Sequence, residues 1–99
     1  MKTMNLKEIV DNLNHFDDNQ FIGMKRPWSV DQECILVEIP PDYRFPPAIE
    51  KLGYSYFLEV FTAKEVLEPA IDREMNKENQ AKALLFYAQN DAFPEWYFE

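Results

Sequence analysis

Glu33-Cys34-Ile35-Leu36-Val37-Glu38-Ile39, preceded by Asp31 and closed by Pro40-Pro41, is the stretch on which the fold turns. β-Branched and apolar residues held between turn formers predict a strand. Cys34-Ile35-Leu36-Val37 is the longest clean apolar run of the chain. An unbroken run, rather than an alternating one, predicts a central strand covered on both faces. A second strong strand is predicted over residues 54–61. Tyr54, Tyr56, Leu58 and Val60 then lie on one face, and Ser55, Phe57, Glu59 and Phe61 on the other. Phe21-Ile22-Gly23-Met24 reads as a short additional strand, and Trp28, just after Pro27, as a large anchor packed from a loop.

Helices surround these strands. Asn5 and Glu8 have the spacing of a capping box, and Met4 and Ile9 that of a hydrophobic staple. Leu6, Ile9, Val10 and Leu13 follow as one buried stripe, which ends near His15-Phe16. Four prolines lie between Pro40 and Gly53; Pro46-Pro47 predict a short helix through Leu52, with Gly53 as its left-handed stop. Thr62-Ala63-Lys64-Glu65 has the form of a second capping box and predicts a helix carrying Val66, Leu67, Ala70, Ile71 and Met75. Pro69 within that stripe is expected to kink or end it. Residues 72–80 read as an exposed polar stretch. A last helix is predicted over 77–89 with Ala81, Leu84, Leu85 and Ala88 inward; the rival reading makes Leu84 to Tyr87 a strand, and the Ala, Lys and Gln content favours the helix. Strands and helices do not alternate strictly, so the predicted class is α+β: a small, mainly antiparallel sheet of three to four strands packed with three to four helices, in one domain over residues 1–99.

Composition narrows function. Ten Lys and Arg against 18 Asp and Glu give a net charge of −8, and two Trp, five Tyr and eight Phe make the chain rich in rings. The acids are spread: each half of the chain carries five basic and nine acidic residues, 5 − 9 = −4. Without a basic footprint, direct nucleic-acid binding is not expected. No window is apolar enough for a membrane span, and one cysteine with no export signal predicts a cytoplasmic protein. With glycine only at 23 and 53, neither a phosphate-binding loop nor a dinucleotide fingerprint can form. The zinc spacings and the calcium loop are absent as well. His15, Asp17 and Asp18 read as a solvated turn rather than a metal site. A Cys34–His15 dyad is conceivable, but Cys34 inside an apolar strand reads as a packing residue. Neither catalysis nor a cofactor is therefore expected.

Pro40-Pro41-Asp42-Tyr43 beside a strand and Asn90-Asp91-Ala92-Phe93-Pro94-Glu95-Trp96 near the end, in a compact acidic chain rich in rings, give a sequence that resembles uncharacterised bacterial proteins. Among these are mobile gene-cassette products and immunity proteins that neutralise toxins. The resemblance implies a binding role and designates no binding residue.

The densest mixture of acids and rings is Asp91, Phe93, Glu95, Trp96 and Tyr97. As an interface it would meet a basic protein; as a plug it would complete the core. An aromatic pocket for a small ligand near Trp28 or Trp96 is the alternative. Met24-Lys25-Arg26-Pro27-Trp28 is the single basic–aromatic cluster, suited either to an anion or to a charged loop beside a core Trp. The excess of rings also predicts a monomer or a homodimer, with the dimer preferred and Tyr54, Tyr56, Trp96 and Phe98 as its contacts.

Overall fold

The computed structural model describes residues 2–98, without the side chain of Phe98. Among these, four α-helices and a three-stranded antiparallel sheet form a small α+β fold: α1 (Leu6–Asp11), β1 (Gln20–Lys25), β2 (Cys34–Glu38), α2 (Pro47–Glu50), β3 (Tyr54–Glu59), α3 (Val60–Asp72) and α4 (Lys77–Asn90). The strand order is β2-β1-β3.

The central strand is therefore β1, not the apolar run at 34–37. Four consecutive residues of β1, Phe21 to Met24, are buried, whereas Leu36 and Val37 of β2 are only partly so. Gly23 concealed this role, because a glycine weakens the strand signal. Here it permits a close approach instead: a Cβ at Gly23 would come within 2.9 Å of the Phe45 ring, which covers the middle of the sheet. At its Cys34 end the β2 edge is shielded by backbone bonds with Met4, N–H to O 3.0 and 2.7 Å.

The sheet has two unlike faces. Ile22, Met24, Cys34, Phe57 and Leu58 meet Leu6, Ile9 and Val10 of α1, Val66 and Leu67 of α3, and Ala81 and Leu84 of α4 in the main core. The second face is closed by the connection from β2 to β3, which supplies Tyr43 and Phe45 against Phe21.

A β-bulge divides β3 between these faces. Ile22 pairs with Leu58 but Gly23 pairs with Tyr56, so Phe57 is one residue in excess. The extra residue shifts the alternation by one. Phe57 and Leu58, neighbours in sequence, are thus both buried in the core. Strict alternation had assigned them to opposite faces.

The Asn5–Glu8 capping box forms as expected, with Glu8 N–H donating to Asn5 Oδ1 at 2.9 Å and Asn5 N–H to Glu8 Oε1 at 3.0 Å. α1 stops at Asp11, and a 3₁₀ turn over Leu13–His15 completes the stripe. The second predicted box does not form. β3 runs directly into α3, whose N-cap is Glu59, so Thr62 lies inside the helix. Nor does Pro69 end α3, which continues to Asp72. Proline in the last turn removes only the N–H that would reach the Glu65 carbonyl, and Glu65 is exposed to water. α4 covers Leu84 to Tyr87 as helix. Within the stretch expected to be exposed, Gln80 is buried, its Nε2 donating to the Met75 carbonyl at 2.6 Å. Gly53 takes the left-handed conformation at φ +98°, as expected.

Cys34 is fully buried, and burial aided by the Glu33 charge pushes its thiol up to about 12. On the outer end of the sheet, Tyr54 donates its hydroxyl to the Glu33 carboxylate, and Lys25 Nζ lies 3.3 Å from Glu33 Oε2 and 5.2 Å from the Tyr54 ring centre. Tyr54 is buried in this arrangement and does not offer the dimer contact expected of it.

Two outcomes follow from this packing. Gly23→Ala should cost about 1–3 kcal/mol in urea unfolding through overpacking against Phe45. The penalty should shrink in a Phe45→Ala background, as coupled neighbours are not additive. The Glu33–Tyr54 bond sets the second outcome. The Tyr54 hydrogen bond, then Lys25, lowers the Glu33 pKa below its ordinary value, so its stabilisation is present above the ordinary carboxylate range and is lost as pH falls through the depressed value. Burial, then Glu33, raises Tyr54 to about 12, so its contribution is complete below the ordinary phenol value and declines as pH rises toward 12. Melting temperature against pH should show both limbs; Glu33→Gln should remove the acid limb and only reduce the alkaline one, which burial of Tyr54 chiefly sets.

Candidate functional site

The tail divides two roles between adjacent residues. After α4, Asp91 takes the left-handed conformation at φ +52°, with its N–H on the Tyr87 carbonyl at 2.8 Å. This turn brings the chain back over the helices. Tyr97 is fully buried among Ala70, Ala83 and Met75, and its hydroxyl donates to the Val66 carbonyl at 2.6 Å. Arg73 donates to the Tyr97 carbonyl. Tyr97 is therefore core rather than surface anchor. Phe93 stacks on it with centroids 5.2 Å apart and also meets Tyr87 at 5.3 Å. Trp96 touches Tyr97 edge-on but leaves 41 % of its surface exposed, and Asp91 and Glu95 are exposed too. Of the five residues expected to act together, the acids and Trp96 remain on the surface, Phe93 straddles, and Tyr97 is withdrawn.

Trp28 does not open a pocket of rings. Its indole N–H donates to Ser55 Oγ at 3.1 Å, its ring meets Phe57 edge-on at 5.1 Å, and the Arg26 guanidinium lies 4.4 Å from its centre. The groove beside it, about 770 Å³, is lined by Arg26, Pro27, Trp28, Ala88 and Gln89, a single ring among polar and small groups.

A more specific site lies on the second sheet face. Phe21, Tyr43, Phe45, Tyr56 and Glu59 line a hollow of about 320 Å³. Phe21 is buried and forms the floor. Tyr43 and Tyr56 stand nearly perpendicular to it, with interplanar angles of 86° and 90° and centroids 5.9 and 5.4 Å away. Both hydroxyls turn to the same carboxylate: Tyr43 donates to Glu59 Oε2 at 2.9 Å and Tyr56 to Oε1 at 3.5 Å. The Glu59 hydrogen bond, chiefly, raises the Tyr43 phenol above its ordinary value, and burial, chiefly, raises that of Tyr56, so both are protonated donors at neutral pH. Tyr43 and Tyr56 are 60 % and 42 % exposed. Among the described residues no Lys or Arg forms an ion pair with Glu59.

Local sequence explains the arrangement. Tyr43 N–H donates to the Pro40 carbonyl at 2.9 Å and Arg44 N–H to Asp42 Oδ1 at 3.2 Å, which fixes a tight turn after the two prolines. The turn holds Tyr43 at φ +60°, a conformation that glycine tolerates and a tyrosine does not favour. Tyr56 and Glu59 share a face only because Phe57 is a bulge. Sequence reading by strict alternation separates them, and so misses the site. The spacing Tyr56-x-x-Glu59 at a strand-to-helix junction is the one signal that could have found it.

Among the described residues no group of three or more His, Cys, Asp and Glu is placed to hold a metal ion. Asp18, in the turn after His15, is engaged by Lys64 at 2.5 Å.

The tail yields a clear contrast in unfolding experiments. Tyr97→Phe should cost about 1 kcal/mol for the lost hydrogen bond. Tyr97→Ala should cost about 3–5 kcal/mol through its cavity. Trp96→Ala should cost less than Tyr97→Ala and leave the melt cooperative. A Trp96→Ala variant as unstable as Tyr97→Ala would place Trp96 in the core as well.

No curated protein and no solved structure matches this chain. No helix among the described residues is long and apolar enough to cross a membrane. Residues 3–96, nearly the whole sequence, match the family described as Domain of unknown function (DUF7716), and the chain belongs to that family.

Proposed function

We propose that this protein is a non-enzymatic binding module, of the immunity type that its sequence resembles, whose acidic and aromatic surface engages a basic protein partner. The observation that carries this reading is the hollow of Tyr43, Tyr56 and Phe21 around the Glu59 carboxylate. Aromatic anchors supply most of the affinity at protein interfaces, and charges set the encounter rate and the choice of partner. Both are present at this one place. The net charge of −8 adds long-range attraction for a positively charged surface. The exposed Trp96 with Glu95 and Asp91 offers a further patch of the same character.

A small ligand beside Trp28 is supported less well. The indole N–H there is already engaged by Ser55, and Arg26 covers the ring. Polar groups line that groove at least as much as apolar ones do.

The test begins with a partner isolated from the native host by retention on the immobilised protein, followed by measurements on the purified pair. Raising salt from about 50 to about 300 mM should weaken binding severalfold, mainly through slower association. Tyr56→Ala should weaken it by about 2 kcal/mol through faster dissociation, with little change in melting temperature. A specific partner indifferent to both salt and Tyr56 would refute the reading.

A further inference from the structure

The Glu59 carboxylate is half-buried between rings and has no basic partner among the described residues. A charge in such surroundings is stabilised by a counter-ion of opposite sign, and among the described residues its side-chain support is two phenolic hydroxyls, one of them at 3.5 Å. Those hydroxyls use one lone-pair direction on each oxygen and leave the others open. Around the carboxylate stand the π-systems of Tyr43, Tyr56 and Phe21, whose negative faces attract cations. The site thus lacks one component, and the component is a cation.

Two features select the kind of cation. The walls are apolar, so a strongly hydrated ammonium would lose more water than the rings replace, whereas a guanidinium is weakly hydrated and stacks on aromatic faces. The acceptor is a carboxylate whose two oxygens each accept from one tyrosine hydroxyl and keep lone pairs free, which a planar fork of N–H donors matches and a point charge does not. We propose that the hollow of Phe21, Tyr43, Phe45, Tyr56 and Glu59 is a receptor for the guanidinium of an arginine side chain presented by the partner protein. This assignment rests on the protein-partner reading and names the group recognised.

The junction with α3 makes the carboxylate indispensable. Glu59 is the N-cap of that helix, and its side chain makes no capping bond. The helix N-terminus carries partial positive charge, which disfavours a cation nearby. Glu59 reverses the local sign. Its removal therefore does more than delete one hydrogen-bond acceptor: it leaves the site repelling its ligand.

The probe is arginine blocked at both ends (N-acetyl-arginine methylamide), titrated into the full chain at constant ionic strength and followed by amide and side-chain NMR shifts. The expected result is saturable shifts confined to Phe21, Tyr43, Phe45, Tyr56 and Glu59. The blocked citrulline analogue, neutral but of the same shape, should bind at least tenfold more weakly, and blocked lysine severalfold more weakly. Glu59→Gln should abolish saturation. Tyr43→Gly, which relieves the left-handed backbone while removing a ring, should weaken binding about tenfold without lowering the melting temperature. Equal binding of the arginine and citrulline probes, no saturable shift, or shifts centred on Trp28 or Trp96 would overturn the assignment. Free arginine binding at least tenfold better than the blocked form would overturn it too, since the amino acid rather than a protein side chain would then be the ligand. The two readings fail separately. A partner that binds through Tyr56 but tolerates replacement of every arginine at its interface defeats this assignment alone, whereas saturable binding of blocked arginine with no protein partner defeats only the protein-partner reading.

Discussion

Phe57 is one residue more than the pairing of β3 with β1 can hold, and most of the architecture follows from where that excess is placed. An alternating strand would send Phe57 and Leu58 to opposite faces. The bulge sends both to the helical side, where they join Ile22, Met24 and Val66 in the core. The same shift brings Glu59 round to the face of Tyr56. It also sits opposite Gly23, the position where the sheet has no side chain and Phe45 descends onto the backbone. A tight core on one face and a ring-lined hollow on the other thus share one origin. Bulges recur beside functional sites because they re-aim a side chain without lengthening the sheet.

The same constraint explains what could be read from the sequence and what could not. Asn5 with Glu8, and the stripe behind them, are interactions within one helix turn, and they appear as expected. The last helix and the left-handed Gly53 are also local and legible. Thr62-Ala63-Lys64-Glu65 had the right letters but not the right place. Val60 and Phe61 were assigned to the strand, yet Val60 is fully buried as the first residue of α3, and the chain gains that burial by turning helical three residues earlier, with Glu59 rather than Thr62 as N-cap. Tertiary packing overrode a local signal. The central position of β1 was hidden for a similar reason: part of its burial comes from a ring 22 residues away, Phe45 over Gly23 (45 − 23 = 22), and no periodicity reports such a contact. In the tail, density of acids and rings was visible, but not that Tyr97 would turn inward while Trp96 stayed out.

Acidity and aromaticity act on different scales here. The charge of −8 is divided evenly along the chain, so it specifies attraction toward basic surfaces and little about location. The rings that remain partly exposed are, by contrast, local features. Tyr54 and Tyr56 show the contrast, two residues apart on one strand. Tyr54 is buried, its hydroxyl held by Glu33 and its ring faced by Lys25. Tyr56 stays open, and its carboxylate, Glu59, has no ion pair with a lysine among the described residues. The first trio is complete. The second has the same ring and the same acid but not the cation.

Tyr43 strengthens that comparison. The chain meets its need for left-handed backbone with Gly53 at one turn and with acidic residues, Glu74 and Asp91, at two others. At residue 43 it uses a tyrosine, among the less suitable side chains for φ +60°, at a cost on the order of 1 kcal/mol. Glycine there would relax the backbone, but it would remove both a wall of the hollow and a donor to Glu59. Three locally unfavourable choices, a strained tyrosine, a half-buried acid with no basic partner among the described residues and rings left open to water, therefore converge on one small volume. Foldable sequences are locally consistent, and the departures concentrate where a site is being held for a ligand. Each departure alone is an ordinary imperfection of a small domain. Their convergence around Glu59 is what separates this surface from the buried Tyr97 of the tail, whose ring is packed and whose hydroxyl is hydrogen-bonded within the fold.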